Sequence, residues 1–502
     1  MDLNHNTLAQ SREQALQPDA DLAAARHAEG RLTARERLEL LLDQDSFVEL
    51  DRFARQRGAD PGLSGQGRSG DGVVTGHGTV NGRTVFVYAK DMTVYQGSLS
   101  EAHAGKIHKV QDLALKSRAP LVGLFDSEGA RIQDGLSALA GYGVQYRRAI
   151  AASGIIPQLS LVLGPCPGAE AFAAAISDFV LMAEGSGQLF VSGPEVAEAV
   201  AGESVTREEL GGAAVHAQHS SIADVTCANE VDAILQARRL LDFLPSHHEE
   251  ERTGWASFDA DARVEPSLDT LIPDDPDAPY DVKELLRKVA DEGDFFEIQP
   301  AFAPNLVVGL MRMSGKTVGV VANQPLVLAG ALDGDACRKA ARFVDFCDAF
   351  GIPVATFVDT PGFVPGTAQE HGGLARHGAN LLAAYARASV PLVSFVLRKA
   401  FGAAGLMMAA REVGCDMRFA WPRATIGLVG AKGAQAILEG QDGAPGLDAA
   451  DYAERHASGF AAAAQGQVDD IVLPRDTRPR LAAALRALAA KRARRRHGGT
   501  SL

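Results

Sequence analysis

Two short stretches of this chain suit a chemistry carried by the backbone rather than by side chains. Residues 164–172 read GPCPGAEAF and residues 400–408 read AFGAAGLMM; each follows an apolar, strand-like run and opens a helical stretch of small residues. The first N–H groups of a helix have no intrahelical acceptor and carry partial positive charge. Aimed at a carbonyl oxygen, they hold negative charge that develops there during reaction. Glycine and alanine let a carbonyl come close to the main chain. Either stretch alone reads equally as a tight packing turn between strand and helix, and their pairing favours the functional reading. Neither has Gly-x-Gly-x-x-Gly or Walker spacing, so phosphate cradling of those kinds is unsupported.

The elements that hold these turns also occur twice, about 233 residues apart. Residues 74–91 (VTGHGTVNGRTVFVYAKD) match 307–324 (VVGLMRMSGKTVGVVANQ), residues 120–129 (PLVGLFDSEG) match 353–362 (PVATFVDTPG), and residues 157–169 match 391–403. Two domains of one fold follow. In the first copy Asn81-Gly82 marks a β-hairpin. Helical patterns at 100–116 and 136–153 then alternate with apolar strands at 121–125, 158–163, 178–182 and 188–191, which predicts βαβ units and a largely parallel sheet. A capping-box spacing at Thr33 to Glu36 predicts an N-terminal helical arm. The acidic, Pro-containing stretch before Tyr280 reads as a linker. The expected division is residues 1–250, a linker at 251–280, and residues 281–502.

A formal charge of −14 argues against nucleic-acid binding by the body of the chain, with the basic run at 491–496 (KRARRR) as the exception. Five scattered cysteines without C-x-x-C spacing predict reduced thiols, no disulfide and no zinc site. The polar N-terminus and the lack of a long apolar run predict no signal peptide, no membrane span and a cytoplasmic location.

Motifs along nearly the whole chain then resemble one family. They are 30–50 (GRLTARERLELLLDQDSFVEL), 70–78 (GDGVVTGHG), 129–143 (GARIQDGLSALAGYG), 208–216 (EELGGAAVH), 323–328 (NQPLVL), 361–373 (PGFVPGTAQEHGG) and 420–433 (AWPRATIGLVGAKG). The chain resembles the carboxyltransferase (β) subunit of biotin-dependent acyl-CoA carboxylases, of the propionyl-CoA carboxylase type. The resemblance implies an α/β fold of two duplicated crotonase-like (ββα-spiral) domains, the first for acyl-CoA and the second for biotin. It implies transfer of carboxylate from carboxybiotin, carried on a partner biotin carboxylase/biotin carrier subunit, to the α-carbon of a short acyl-CoA such as propionyl-CoA. The carboxyltransferase subunit of a biotin-dependent decarboxylase is the alternative, as is a divergent homologue with altered acyl-thioester chemistry or an assembly role. No side chain need act as base. Carried over, the thioester carbonyl meets N–H groups at Gly168 and Ala169, and the biotin carbonyl meets those at Gly402, Ala403 and Ala404. The two turns are supplied by different subunits of a dimer, within a hexamer.

Some positions depart from the family pattern. Glu170 stands where a small neutral residue is usual, and Glu128 replaces the first Gly of an Asp-Ser-Gly-Gly-Ala-Arg run. Glu170 is either a solvated or salt-bridged acid at a helix start, or a contact to substrate or a general acid/base whose pKa burial would have to raise toward neutrality. Alanine follows glycine in both turns, which distorts them if those positions need a positive φ. Leu406 reads as an acyl-end contact or as helix core. With Phe172 it points to an apolar acyl group. His371 reads as a structural histidine or an acid/base.

Overall fold

The computed structural model describes residues 2–16, 20–56, 69–250, 254–439 and 449–491. The Gly-rich positions 57–68 and the basic positions 492–496 lie outside them. The chain forms two compact units, residues 1–250 and 251–502.

The N-terminal unit is built from β1 (Val48–Leu50), β2 (Val73–Val80), β3 (Arg83–Lys90), β4 (Leu121–Phe125), β5 (Gln158–Val162), β6 (Pro165–Pro167), β7 (Phe179–Ala183), β8 (Gln188–Phe190) and β9 (Val225–Cys227). Its main sheet runs β1-β2-β3-β4-β5-β7-β9, while β6 pairs with β8 in a small second sheet. Asn81 and Gly82 take φ 50° and 78°, the conformation of a two-residue hairpin turn, so β2 and β3 are antiparallel. From β3 onward the pairing is parallel, because the helices Glu101–Ser117 and Leu136–Ala152 carry the chain back across the sheet. Strands β4, β5 and β7 are buried along their whole length, which is why they read as unbroken apolar runs.

The C-terminal unit repeats this order with β10 (Phe295–Ile298), β11 (Leu306–Met313), β12 (Lys316–Asn323), β13 (Val354–Thr360), β14 (Leu392–Phe401), β15 (Met417–Ala420), β16 (Thr425–Gly427) and β17 (Asp470–Ile471). Its sheet runs β10-β11-β12-β13-β14-β15-β17, with β16 on the far end of β14. The stretch expected to be a linker packs against this unit: Leu268 and Tyr280 sit in its core, and the Trp255 N–H donates to the Gly315 carbonyl at 2.8 Å.

The repeat goes deeper than the sequence match. Ser100 and Asp333 cap equivalent helices, and the bridge Leu99–Ala130 recurs as Leu332–Phe363. Tyr95-Gln96-Gly97 and Leu328-Ala329-Gly330 all have positive φ. A Cβ on Gly97 would lie 2.6 Å from the Asp126 carbonyl oxygen, and one on Gly330 2.3 Å from that of Asp359, so only glycine closes either turn. The duplication also takes in the helix Ala34–Leu41 with β1 and the helix Val282–Val289 with β10. Asp43 accepts the N–H groups of Asn81 and Gly82, as Asp291 accepts those of Ser314 and Gly315.

A buried lysine braces the start of the hairpin in each unit. Lys106 Nζ donates to the carbonyls of Gly70 and Val73. Its counterpart Lys339 donates to those of Gln299, Phe302 and Leu306 at 2.7–2.8 Å, and to that of Ala303 at 3.4 Å. Burial pushes Lys106 down to about 8 and Lys339 to about 7. The ring of carbonyl dipoles works against that shift by favouring the ammonium form.

Candidate active site

Strand β6 delivers the first turn. Gly168 has φ 65° and ψ −131°, a conformation open to glycine, and the helix Ala169–Ala175 starts immediately after it. The Gly168 N–H donates to the Phe190 carbonyl at 2.8 Å, so it is held in the structure of the turn. The N–H groups free to face a substrate oxygen are the first two of the helix, on Ala169 and Glu170. Neither Ala169, Ala403 nor Ala404 has a positive φ. The demanding conformation falls on the glycine, and alanine costs nothing at the next position.

Strand β14 delivers the second turn without a break. Gly402 takes φ 57°, and the helix Gly402–Met407 follows with Ala404 fully buried. A Cβ on Gly402 would lie 3.2 Å from the Leu428 carbonyl oxygen. Phe172 and Leu406, at equivalent positions, are 49% and 46% exposed, so Leu406 is not core. Val191 and Leu428, exposed and apolar, flank the two turns.

Beneath the first turn lies a polar network. Glu170 is fully buried, with its carboxylate turned inward. Lys90 Nζ, also fully buried, lies 2.9 Å from Glu170 Oε1 but off the line of a hydrogen bond, so charge rather than directional bonding holds the pair. The Ser127 hydroxyl donates to Glu170 Oε2 at 2.7 Å, and the Tyr142 hydroxyl at 3.2 Å. Ser127 Oγ in turn accepts the Gly129 N–H at 2.9 Å. Tyr146 donates to the Ala169 carbonyl. Burial, and then the negative charge of Glu170, push the Tyr142 hydroxyl well up and that of Tyr146 to about 12. Both therefore stay protonated as donors. Glu170 is thus salt-bridged and not solvated.

The second acid, Glu128, is also paired: Arg207 donates to its two oxygens at 3.1 and 3.3 Å at the surface. His371 ends the exposed helix Thr367–His371, away from any buried partner. Among the described residues no group of three or more His, Cys, Asp or Glu could hold a metal ion, and the five cysteines are buried and form no disulfide.

A carboxylate at the end of the central strand orders each unit from behind. Asp126 is held by Arg26, Arg31 and Arg37, all from the N-terminal arm, and Arg37 also pairs with Glu230 at 2.7 Å. Burial opposes ionisation of Asp126, but the three guanidinium groups hold its carboxyl below the usual range. Its counterpart Asp359 has one guanidinium, Arg398 at 2.9 Å, and there burial wins and raises the pKa. Arg398 occupies the position of Gly164 in the first copy, where a Cβ would fall 1.9 Å from Asp126 Oδ1. One unit imports its arginines; the other grows one from β14.

Lys90, Ser127, Tyr142, Tyr146 and Arg207 did not emerge from the sequence. One signal was present: Lys90 follows the run 85–89 (VFVYA) where its matched partner is Asn323, and Glu170 matches Ala404. A buried acid and a buried base added to the same copy suggest each other.

Residues 25–498 match the carboxyl transferase domain family model. The chain is 51% identical to the propionyl-CoA carboxylase beta chain of Roseobacter denitrificans, with 92% of each covered. It is 45% identical to the methylmalonyl-CoA decarboxylase subunit alpha of Veillonella parvula, covering 95% of this chain and 94% of that one. The crystal structure of transcarboxylase 12S, a hexamer with methylmalonyl-coenzyme A and methylmalonic acid bound, superposes with a TM-score of 0.96 at 39% identity, covering 100% of this chain and 99% of that one. With its two crotonase-like units, this chain belongs to the carboxyl transferase family.

Proposed function

We propose that this chain is the carboxyltransferase subunit of a biotin-dependent acyl-CoA carboxylase, and that it transfers carboxylate to the α-carbon of propionyl-CoA or a similar short acyl-CoA. The observation that carries this reading is the pair of equivalent turns, each with glycine at the positive φ and helix-start N–H groups beyond it. In the N-terminal unit, the N–H of Ala169, with that of Glu170, would polarise the thioester carbonyl. Charge grows on that oxygen only as the α-proton leaves, so the donors lower the barrier without tightening ground-state binding to the same degree. Phe172 and Val191 offer apolar surface to a short acyl chain.

The C-terminal turn suits biotin. A side chain on Gly402 would fill space beside the Leu428 carbonyl, and the exposed faces of Leu406 and Leu428 match an apolar bicyclic ring. Ala403 and Ala404 would hold its carbonyl oxygen. When bound, biotin brings the carboxylate and a ureido nitrogen able to take the α-proton, which is why no side-chain base is required. Gly168 and Gly402 shape the turns, and apolar neighbours exclude water from them.

Sequence identity to propionyl-CoA carboxylase beta chains exceeds that to the decarboxylase subunit, which supports the carboxylating direction. A separate polypeptide would supply the biotin and its carboxylation, and six copies of this chain would form the core, after the transcarboxylase hexamer. The test is to combine the chain with its biotinylated partner, bicarbonate and ATP, and follow carboxylation of acetyl-, propionyl- and longer acyl-CoAs. Carboxylation fastest with propionyl-CoA is expected. Loss of carbon dioxide from malonyl-type thioesters without forward turnover would remove this reading.

A further inference from the structure

At the positions matching Lys90 and Glu170 of the N-terminal unit, the C-terminal unit has Asn323 and Ala404. Asn323 is uncharged and bridges the Gly330 carbonyl and the Asp359 N–H. A buried ion pair is therefore not needed to form such a turn, and its presence in one copy calls for a cause.

That cause lies in the peptide between Ala169 and Glu170. Its oxygen is gripped by the Tyr146 hydroxyl. Its other end is fixed by the Glu170 side chain, anchored to Lys90 on β3, to Ser127 behind β4 and to Tyr142 on the helix Leu136–Ala152. A trans peptide is planar, so holding the carbonyl and the following side chain sets the direction of the Glu170 N–H. Through Ser127 Oγ the same carboxylate reaches the Gly129 N–H, tying the neighbouring loop to the turn.

We propose that Lys90 and Glu170 are a positioning pair that aims the acyl-thioester turn, acting as one neutral unit whose members must be kept or lost together. This rests on the carboxyltransferase reading above. Both side chains lie beneath the turn, and Glu170 meets substrate only through its N–H. Without Lys90, an unpaired carboxylate would sit under oxygen that is becoming negative; without Glu170, an unpaired ammonium would remain and pull on the turn, whereas losing both leaves no buried charge and keeps the Tyr146 hold on the peptide.

The experiment is a cycle of Lys90→Asn, Glu170→Ala and the double variant, which carries the residues of the C-terminal copy. Each is assembled with the biotinylated partner and assayed for kcat and KM of propionyl-CoA. Each single change is expected to lower kcat about 100-fold with KM altered less than about 3-fold, as for a misdirected catalytic group. The double variant should recover to within about 10-fold of the starting chain. Glu170→Gln, which keeps shape and acceptor, serves if Glu170→Ala does not fold. Loss of carbon dioxide from carboxybiotin without acyl-CoA reports on the other turn and should be unchanged. Single variants with full kcat, a double variant as poor as the singles, or equal loss of both reactions would overturn the pair's role. An unsubstituted chain that carboxylates no acyl-CoA would instead sink the functional reading, so the two failures are distinct.

Discussion

The two units share one strand order, one pair of hairpin turns and one pair of glycine-led helix starts, yet they stabilise them with different chemistry. The N-terminal unit uses charge: three arginines on Asp126 and a lysine against Glu170. The C-terminal unit uses one arginine, an asparagine and an alanine at the matching places. Backbone geometry was kept while its supports were exchanged. The lesson is that the turn itself, with its glycine and its open N–H groups, is the common requirement, and the buried polar groups beneath it are local solutions.

Removing one buried charge should separate the two units most strongly. Lys90→Met or Glu170→Ala alone should cost about 3–5 kcal/mol, because the remaining ion stays buried and unpaired, whereas Asn323→Ala should cost about 1–3 kcal/mol. Urea unfolding with fixed m-values would check both. Equal losses would mean that the ionic and neutral supports are energetically alike.

The lysine braces come next. Lys339→Met takes the ammonium donor from four carbonyls and Lys106→Met from two, although those of Gln299, Ala303 and Gly70 keep a backbone N–H. The first is expected to lose about 3 kcal/mol and the second about 2, since more hydrogen bonds from a charged donor are lost at Lys339. Thermal midpoints would rank them.

Gly168→Ala and Gly402→Ala both force a side chain to positive φ, at about 1–2 kcal/mol. Only at Gly402 does the new Cβ press on a carbonyl, at 3.2 Å, against 4.0 Å for Gly168. Turnover should therefore fall further for Gly402→Ala, measured as kcat at saturating acyl-CoA.

The smallest effect is pH-dependent. Burial works against ionisation of Asp43, but the Gly82 N–H, the Thr79 hydroxyl, Arg238 and the Asn81 N–H outweigh it and hold the carboxyl at about 2. The unfolded group titrates near ~4. The folded pKa is the lower, so this stabilisation is complete above about 4 and fades as pH falls through 2. Asp43→Asn should remove that acid-side slope, visible as a flatter thermal midpoint between pH 4 and 2.

Much of the fold was legible because it rests on local rules. The capping box at Thr33 and the Asn81-Gly82 hairpin are present as expected. The buried strands of each copy read as apolar runs. What escaped were features set by distant partners. Asp43 and Asp291 play one part in both copies, but sit about 248 residues apart rather than 233, so the match was lost at the change of spacing. Glu170 was open to reading as a solvated or salt-bridged acid, as a substrate contact or as a general acid/base, because no local pattern names its partner. Its partner is 80 positions earlier, on another strand. Gly168 was expected to present its N–H, which the pairing of β6 with β8 occupies; strand pairing of so short a segment left no pattern to read.

The arginines of the arm have a consequence for how the chain comes off the ribosome. Arg26, Arg31 and Arg37 are all made before their partner Asp126, and two of them need Glu230 as well. The arm must wait for some two hundred further residues before Arg31 and Arg37 have both of their carboxylates. The arm is made before the partners that lock it, and loop closure over such a span is slow. A chain shortened from the front would lack the fastener of its first half, while the second half, with Arg398 built into its own strand, could close without help.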